Sequence, residues 1–309
     1  MSLRINNNVE ALNAHRHLLN NEKMLTKSLE RLSSAQKINR GADGPAALVV
    51  SEGMRSQIAS LHQAADNNES AISLVQTAEG ALNEVSTLLV DMRQRAVAAA
   101  NIGLNDENMV NASQQEIENA LDTIDRISTN TQFGSKNLLD GNGKVAAGIP
   151  AVEAEAAAEA TAKNSKIFAF QIGAEEGQMV SIDLPNVATT ELAKGVSNQS
   201  GFASLADVDV TTGQGAQDAM AVIDTAIEEI AVARGEMGAF QKNTLESNLT
   251  SLRIHTENLT AAESSIRDAD IAVELAAFTR NQIMTQSATA QLAQANALPK
   301  NVMSLLASQ

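Results

Sequence analysis

The side chains that could bind a metal or act as nucleophiles are few and scattered in this chain of 309 residues. It contains no cysteine, which excludes a disulfide and a thiolate metal site. The four histidines are His15, His17, His62 and His255. His15 and His17 are two residues apart, a spacing that puts them on different faces of a helix. We therefore expect solvated or interfacial histidines and no metal centre.

Two charged pairs are further candidates for chemistry. Asp268 and Asp270 follow Arg267, and on a helix such carboxylates are far more often salt-bridged or solvated than catalytic. Arg93 and Arg95 are two apart, so they point to different helix faces, as residues of a solvated surface do. No phosphate-binding glycine loop, nucleophile elbow or metal-binding helix motif occurs. The sequence predicts neither an enzyme nor a cofactor.

The composition favours long helices over a deep ligand pocket. There are six Phe and no Trp or Tyr, whereas aromatic side chains provide much of the binding energy of pockets and compact interfaces. The first ten residues lack the basic segment and the apolar run of a secretory signal peptide. No stretch of eighteen apolar residues occurs, so we expect no membrane span.

The negative charge is concentrated in the middle of the chain. Residues 1–43 carry seven basic and four acidic side chains, a net charge of +3, and residues 265–309 carry three of each, a net charge of zero. Because the whole chain has a net charge of −15, the middle of the chain carries −18. Such acidity disfavours nucleic acid as a partner, because nucleic acid requires a basic face. Near-neutral ends can be buried in an assembly at low desolvation cost, while an acidic middle faces water.

The two ends of the chain have its most regular helical patterns. Residues 5–38 and 266–298 contain almost no helix breaker, and their apolar residues recur at helical spacing. Chain termini usually fray, so helices at both ends need partners, namely each other and other copies of the chain. The candidate interface residues are Ile5, Val9, Leu12, Leu18, Leu25, Leu29, Leu32, Ile271, Leu275, Phe278, Leu292 and Leu298.

A very long helix is predicted between these ends. Two Gly and a Pro in residues 41–45 separate it from the first helix, and its pattern continues to residue 100, about 80 Å at ~1.5 Å per residue. Its apolar stripe, which includes Asn68, has a three–three step at Ile72, Val75 and Ala78 that should overwind it locally. Such a rod needs antiparallel helices along its length. Apolar stripes in residues 110–127 and 222–266 provide them.

Residues 141–215 differ in character from the helices. Residues 151–162 are rich in Ala and Glu and form either a solvated linker or a short helix. Residues 167–172 and 178–184 have strand patterns around a glycine-containing turn, which predicts a β-hairpin. The remaining residues are expected to be loops. The fold class is therefore mainly α: a long antiparallel helical coiled-coil bundle with a small β-hairpin region.

Four segments in the same order resemble bacterial flagellin. They are RINNN with LNA in residues 4–14 and LERLSS with KINR in residues 29–40; FQIGA in residues 170–174; RGEMGAFQ in residues 234–241; and SIRDADIAVE with LAQAN and LPKNV in residues 265–302. Each is weak alone, but their order is specific. The resemblance covers about residues 1–140 and 165–309.

The resemblance implies a discontinuous domain organisation. Residues 1–43 and 265–309 would form the terminal-helix domain, called D0, which makes an inner tube. Residues 44–264 would form the rod domain, D1, with little or no outer domain. The connector between the two domains would comprise Arg40, Gly41, Asp43, Gly44 and Pro45.

The resemblance also implies a function and partners. The chain would polymerise into the bacterial flagellar filament, the helical propeller for swimming, with ends that become ordered on assembly. Its partners would be further copies, hook–filament junction and cap proteins, the flagellar type III export machinery, and an export chaperone on the C-terminal helix over about residues 266–306. It would lie outside the cell, exported without a cleaved signal peptide.

Two alternatives compete with a filament subunit. A hook–filament junction protein shares the terminal helices and a similar length, although the C-terminal LAQAN and LPKNV segments favour the filament subunit. The other alternative is an enzyme or receptor-binding module inserted in the middle. Residues 141–215 contain no His, no Cys and no convincing catalytic cluster.

Two departures from the family pattern concern Gly44-Pro45 and residues 89–98. Flagellins commonly have an acidic residue and Ala where this chain has Gly44-Pro45, so the stiffness of the connector is expected to differ. Residues 89–98 align with the stretch that an animal innate immune receptor senses. In that stretch this chain has Asp91, Arg93, Gln94 and Arg95. Relative to the family, one charge is reversed and a Leu is replaced, so we expect weakened recognition by the receptor.

Overall fold

The computed structural model describes residues 8–101, 103, 106–141 and 165–307, and the side chains only as far as residue 297. The described residues contain six α-helices and four short strands. These are α1 (Val9–Ser34), α2 (Pro45–Ala99), α3 (Glu107–Asn130), β1 (Gln132–Phe133), β2 (Lys136–Asn137), β3 (Lys166–Gln171), β4 (Met179–Leu184), α4 (Gly213–Ala239), α5 (Ser247–Arg267) and α6 (Ile271–Ala307). The Ala/Glu-rich residues 151–162 lie outside the described residues.

The chain divides into two compact units. The first consists of residues 1–58 and 257–309, and the second of residues 59–256. The divisions fall within α2 and α5, so each unit contains a part of both helices. The mainly α fold with a small hairpin, β3 with β4, is as the sequence predicts. A second, two-stranded antiparallel pair, β1 with β2, was not predicted.

The first unit contains an antiparallel pair of helices, α1 and α6. The Asn8 side chain caps α1 by accepting a hydrogen bond from the Ala11 backbone N–H at 3.0 Å. Asn8 also donates to the Ala295 carbonyl at 2.8 Å. Nearer the other end of α1, Arg31 lies 3.7 Å from Glu274. The contacts therefore run in opposite directions along the two helices, which defines the antiparallel arrangement.

Both terminal helices are interrupted where helical pattern was expected to continue. Helix α1 ends at Ser34, because Ala35 takes a left-handed conformation with φ 56°. Lys37 N–H then donates to the Arg267 carbonyl at 2.7 Å, and Ala269 N–H donates to the Ala35 carbonyl at 2.9 Å. The helical patterns over residues 5–38 and 266–298 were therefore wrong at residues 35–38 and 268–270, where the chain exchanges backbone hydrogen bonds between the two segments instead; at its other end, α6 continues beyond the expected residue 298 to Ala307.

The second unit has an apolar core along α2. From residue 61 to residue 99, one buried stripe of α2 alternates steps of three and four: Leu61, Ala64, Asn68, Ala71, Val75, Ala78, Leu82, Val85, Leu89, Met92, Ala96 and Ala99. Leu74 is buried beside this stripe. The stripe passes through Ala71, which is fully buried, and Ile72 lies only partly buried beside it. The expected three–three step, with its local overwinding, was therefore wrong.

Helices α3 and α4 cover this stripe. Ile117 and Ile124 of α3 and Val222, Ile223 and Ile230 of α4 are almost completely buried in the same core. Between α4 and α5 the helix takes a π conformation over Phe240–Glu246. A π turn accommodates one extra residue, and here the helical spacing of buried residues is interrupted by a step of five between Phe240 and Leu245.

The hairpin of β3 and β4 is antiparallel, with Lys166 opposite Leu184 and Gln171 opposite Met179. At its turn, a Cβ on Gly173 would lie 1.8 Å from the Gln178 side chain, so only glycine fits there. Asn248 of α5 donates to the Ile172 carbonyl at 2.8 Å and holds the hairpin to the helices. The predicted hairpin is confirmed.

Residues 185–212, which were expected to be loops, are fixed to the helices by carboxylates. Asp125 of α3 accepts hydrogen bonds from the backbone and hydroxyl of Thr189 at 2.9 and 3.0 Å. Asp218 of α4 accepts from the Ser200 backbone at 2.8 Å, and Glu229 accepts from the Ala193 backbone at 3.0 Å. The segment also buries side chains in the core, among them Val187, Leu192, Leu205, Val208 and Val210.

Candidate polymerisation interface

The predicted interface residues divide between two faces of α1 and α6. Those that are partly buried between the two helices are Leu18, Leu25, Leu32, Phe278 and Leu292. Those that are exposed are Val9, Leu12, Leu29, Ile271 and Leu275. Ile5 and the side chain of Leu298 lie outside the described part of the chain. The structure therefore brings about half of the described set together and leaves the other half facing outward.

The outward residues of α1 are large and apolar. Leu12 is 67% exposed, and Val9 and Leu29 are exposed by more than half. Sequence reasoning missed Leu19, which is exposed one heptad beyond Leu12 on the same face. Its spacing of seven from Leu12 is the signal that could have identified it.

Helix α6 has an apolar outer face with very little charge. Leu275 is 50% exposed and Ile283 is 61% exposed, and they line a shallow apolar surface with Ala272, Ala276 and Thr279. From residue 271 to residue 297 the only charged side chains are Glu274 and Arg280. Because this face carries so few charges, another protein surface can cover it at a low desolvation cost.

The connector is attached to α1 by two ion pairs. Lys27 lies 2.6 Å from Asp43, and Arg40 lies 2.8 Å from Glu30. Asp43 also accepts a hydrogen bond from the Arg40 backbone at 3.2 Å, within a 3₁₀ turn over Gly41–Asp43. The hydrogen bond from the Lys27 ammonium is the main reason that the pKa of Asp43 lies below its ordinary value, and the backbone N–H of Arg40 lowers it further.

A second group of charges lies at the end of α5 in the same unit. Arg267 donates to Glu52 at 2.7 Å, and Arg55 donates to the same carboxylate at 3.1 Å. The hydrogen bond from Arg267, and then that from Arg55, lowers the pKa of Glu52. Gly44 and Pro45 follow the 3₁₀ turn, and Pro45 is the first residue of α2, a position at which proline lacks no helical hydrogen bond.

The two aspartates near Arg267 act as local structural groups. Asp270 accepts hydrogen bonds from the backbones of Ala272 and Val273 at 2.9 and 3.2 Å and caps the start of α6. Asp268 accepts from the Ser264 hydroxyl at 2.7 Å. Both aspartates are exposed, in agreement with the solvated alternative, whereas neither forms a salt bridge with Arg267, because the helix breaks here and Arg267 pairs with Glu52.

The segment aligned with the immune-receptor stretch lies on α2 in the second unit. Asp91, Arg93, Gln94 and Arg95 are all exposed. Arg93 forms an ion pair with Asp224 of α4, a contact that raises the pKa of Arg93. Arg95 pairs with Glu116 of α3 at 2.5 Å. The two arginines therefore do point to different sides of α2, but each binds a neighbouring helix and is not simply solvated.

Neither a metal cluster nor a membrane helix is found in the part of the chain that the structure describes. Across those residues, His, Asp and Glu do not come together in a group that could hold a metal ion. Within the same ranges, every helix is too short or too polar to cross a bilayer.

Two family models match the two ends of the chain, and relatives match it over nearly its whole length. The bacterial flagellin N-terminal helical region matches residues 5–144, and the bacterial flagellin C-terminal helical region matches residues 220–306. Flagellin of Bacillus subtilis is 40% identical in sequence, over 98% of this chain and 100% of the relative. The chain belongs to the bacterial flagellin family.

Two other proteins are also similar to this flagellin. The flagellar filament 30.7 kDa core protein of Treponema maltophilum is 35% identical, over 98% of this flagellin and 99% of the relative. The solved structure of a flagellar hook-associated protein from Vibrio parahaemolyticus is similar with a TM-score of 0.57, covering 73% of this flagellin and 100% of that chain. At 16% identity, the second likeness shows a shared fold alone.

Proposed function

We propose that this chain is the structural subunit that polymerises into the bacterial flagellar filament, the helical propeller for swimming. The observation that carries the proposal is the pair α1 and α6, whose outer faces leave Leu12, Leu275 and Ile283 exposed. Membership of the flagellin family and the full-length relatives support the same function. The family is structural, which agrees with a protein that is not an enzyme.

The terminal helices need neighbours for an energetic reason. Ordering a residue costs roughly 1–2 kcal/mol, and α1 and α6 contain 26 and 37 residues. At ~25 cal/mol per Å² of apolar surface, offsetting that cost requires burial on the order of several thousand Å². Two helices packed only on each other bury far less, whereas copies packed on several sides in a tube supply it. The same cost opposes premature polymerisation of monomers.

Seeded growth tests the proposal. Purified protein should extend filament seeds into long tubes visible by electron microscopy, and Leu275→Asp should abolish growth, because it puts a charge on the apolar outer face of α6. Phe278→Asp should do the same by disrupting the contact with α1. The matched control Leu275→Met keeps the surface apolar and should still grow. Normal filaments from Leu275→Asp would show that this face is not the interface.

The domain organisation within the filament is part of the proposal. We assign residues 1–43 and 265–309 to the inner D0 tube, residues 44–264 to the D1 rod, and Arg40 to Pro45 to the connector. The ion pairs of Asp43 and Arg40 with α1 support a connector that is fixed at its D0 side. A cryo-electron microscopy reconstruction of the assembled protein tests the assignment directly.

A hook–filament junction protein is the weaker alternative. Its support is the fold shared with the hook-associated protein from Vibrio parahaemolyticus. The flagellin of Bacillus subtilis is far more similar in sequence and is matched over its full length, which favours the filament subunit. A junction protein would cap seeds without extending them, so long tubes in the seeded assay would exclude it.

The remaining partners follow from the proposed role. A filament subunit requires the flagellar type III export machinery, junction and cap proteins at the filament ends, and a position outside the cell reached without a cleaved signal peptide. An export chaperone would hold the C-terminal helix over about residues 266–306. The apolar outer face of α6 supports this partner, because an unpaired amphipathic helix binds in a groove. Leu275→Asp should therefore weaken chaperone binding as well.

We also propose that this chain is a poor ligand for the innate immune receptor. Asp91 and Arg95 differ in charge from the family pattern, and the ion pairs of Arg93 with Asp224 and of Arg95 with Glu116 occupy both guanidinium groups. Receptor-reporter cells should respond weakly to the monomer, and Asp91→Arg/Gln94→Glu/Arg95→Leu should raise the response. A parent response equal to that of a flagellin with the family sequence would contradict the proposal.

A further inference from the structure

Three of the methionines whose side chains the structure describes are exposed. Met24 of α1 is 56% exposed, Met109 of α3 is 58% exposed and Met284 of α6 is 43% exposed. Met92 and Met237, in the core of the second unit, are almost completely buried. Because a thioether reacts with a dissolved oxidant only where that oxidant can reach it, we expect the three exposed methionines to be oxidised before the two buried ones.

Met24 and Met284 belong to the helix pair of the first unit, and Met284 lies on the outer face of α6. Its side chain lines the same shallow apolar surface as Leu275 and Ile283. Asn21 lies in the seam between α1 and α6, which is the row of at least partly buried residues on which the two helices pack, and donates from Nδ2 to the Met284 carbonyl at 3.3 Å. Met24 follows Asn21 by less than one helical turn, so the two methionines are at neighbouring levels of the helix pair.

Oxidation would change the polarity of this surface without changing its charge. Hydrogen peroxide transfers one oxygen atom to the Met sulfur, which is oxidised by two electrons to the sulfoxide, while the peroxide is reduced to water. The product is a polar side chain. In water the sulfoxide oxygen is solvated, but under an apolar surface it loses its hydrogen bonds and keeps its desolvation cost. Oxidation should therefore affect a free chain little and strongly disfavour covering of the α6 face.

We propose that Met24 and Met284 are oxidation sites at which hydrogen peroxide stops the addition of this chain to a filament. The inference rests on the proposed function, in which a second copy covers the outer faces of α1 and α6. Met284 is the principal site, because it shares one surface with Leu275 and Ile283. Met109 is as exposed as Met24 but lies in the acidic second unit, so its oxidation should leave assembly unchanged.

Peroxide treatment of the free chain before seeding tests the proposal. Full-length monomer is oxidised with hydrogen peroxide, the peroxide is removed, and peptide mass spectrometry measures the sulfoxide fraction at Met24, Met109 and Met284. Seeds are then added, and filament length is measured by electron microscopy. We expect growth to be at least tenfold slower once Met24 and Met284 are oxidised. Treatment with the two methionine sulfoxide reductases, one for each sulfoxide epimer, should restore it.

Substitutions separate the sites from one another. Met24→Leu/Met284→Leu nearly preserves side-chain volume and leaves no thioether at either position. This variant should extend seeds equally well before and after peroxide treatment, although its Met109 is still oxidised, whereas Met109→Leu should extend seeds and stay sensitive. Met24→Gln/Met284→Gln adds uncharged polar groups without any oxidant and should slow growth, and Met109→Gln is its matched control.

Assembled filaments provide an independent measurement. Because a second copy would cover both sites, Met24 and Met284 should gain sulfoxide at least tenfold more slowly in filaments than in the free chain. Unchanged growth of a chain that is fully oxidised at Met24 and Met284 would overturn the proposal. Persistent peroxide sensitivity of Met24→Leu/Met284→Leu, or equal slowing by Met109→Gln, would overturn it as well. Failure of the unoxidised parent to extend seeds would instead count against the proposed function.

Discussion

The two units of this flagellin use the same helical repeat with opposite contents. In the second unit the buried stripe of α2 contains Leu82, Val85, Leu89 and Met92, all essentially without solvent exposure. In the first unit the seam between α1 and α6 contains Asn, Ser, Thr and Ala at equivalent heptad positions, while Leu12 and Leu275 face outward. One unit has its core inside, and the other leaves large apolar side chains exposed on its surface.

The charge distribution follows the same division. Residues 1–58 and 257–309 together carry a net charge of +1, whereas residues 59–256 carry −16. A nearly neutral unit can be covered on several sides without stranding charge away from water. A strongly acidic unit stays soluble and repels its copies. We therefore expect the first unit to drive assembly and the charge of the second unit to oppose it.

The largest expected effect comes from comparing two leucines, one in each unit. Leu89→Ala removes a fully buried side chain and should lower the free energy of unfolding of the monomer by about 2–5 kcal/mol. Leu12→Ala removes a side chain that is 67% exposed, so it should barely change monomer stability but should strongly reduce seeded filament growth. Urea denaturation of the monomer and electron microscopy of the seeded reaction measure the two effects.

The conservative variants Leu89→Met and Leu12→Met serve as controls for this pair, because they nearly preserve side-chain volume. The contrast would fail if Leu12→Ala destabilised the monomer as much as Leu89→Ala did. The outward face of α1 would then belong to a monomer core, and the difference between the two units would not hold.

The sequence predicted the helices well because their repeats are long. The stripe of α2 and the hairpin over residues 167–184 are determined by local periodicity and turn chemistry, which a single sequence contains. The π turn was not predicted, although the step of five from Phe240 to Leu245 was its signal. The breaks at Ala35 and at residues 268–270 were missed because they depend on backbone hydrogen bonds between segments more than 200 residues apart.

The candidate interface was harder to predict than the fold. Spacing identified Leu18 and Leu12 as members of one apolar set but did not determine that Leu18 faces α6 and Leu12 faces outward. That assignment depends on which side of α1 contacts α6, and Asn21 and Ser28 mark that side with polar residues. A search for buried apolar stripes cannot identify a seam of this composition.

A smaller effect is expected from salt, because the two units differ in net charge. Raising ionic strength from 0.01 to 0.15 M shortens the screening length from about 30 to about 8 Å. This should weaken repulsion between the acidic second units and increase the rate of seeded growth at least several-fold. Light scattering in solutions of increasing NaCl concentration measures the rate of seeded growth. A nonionic osmolyte at equal osmolality is the control. Slower growth in NaCl would mean that the ion pairs of the first unit matter more than this repulsion.

The smallest expected effect compares one carboxylate from each unit. Lys27 lowers the pKa of Asp43, and the Ser200 hydroxyl and backbone lower the pKa of Asp218. For each, the stability gained is present above the pKa of the unfolded chain and is lost as the pH falls through the lowered pKa of the folded chain. Asp43→Asn and Asp218→Asn remove these charges at neutral pH, so the two carboxylates can be compared without acidifying the sample.

The two variants should differ because their surroundings differ. The segment that Asp218 holds is also anchored by Leu205, Val208 and Val210, which are buried in the core of the second unit. The connector that Asp43 holds has only Ile38 buried beside it among residues 35–45. Hydrogen exchange measured by mass spectrometry should therefore rise clearly at residues 37–48 in filaments of Asp43→Asn and little at residues 197–210 in filaments of Asp218→Asn. A larger rise in hydrogen exchange for Asp218→Asn than for Asp43→Asn would mean that anchoring in the core does not explain the difference between the two units.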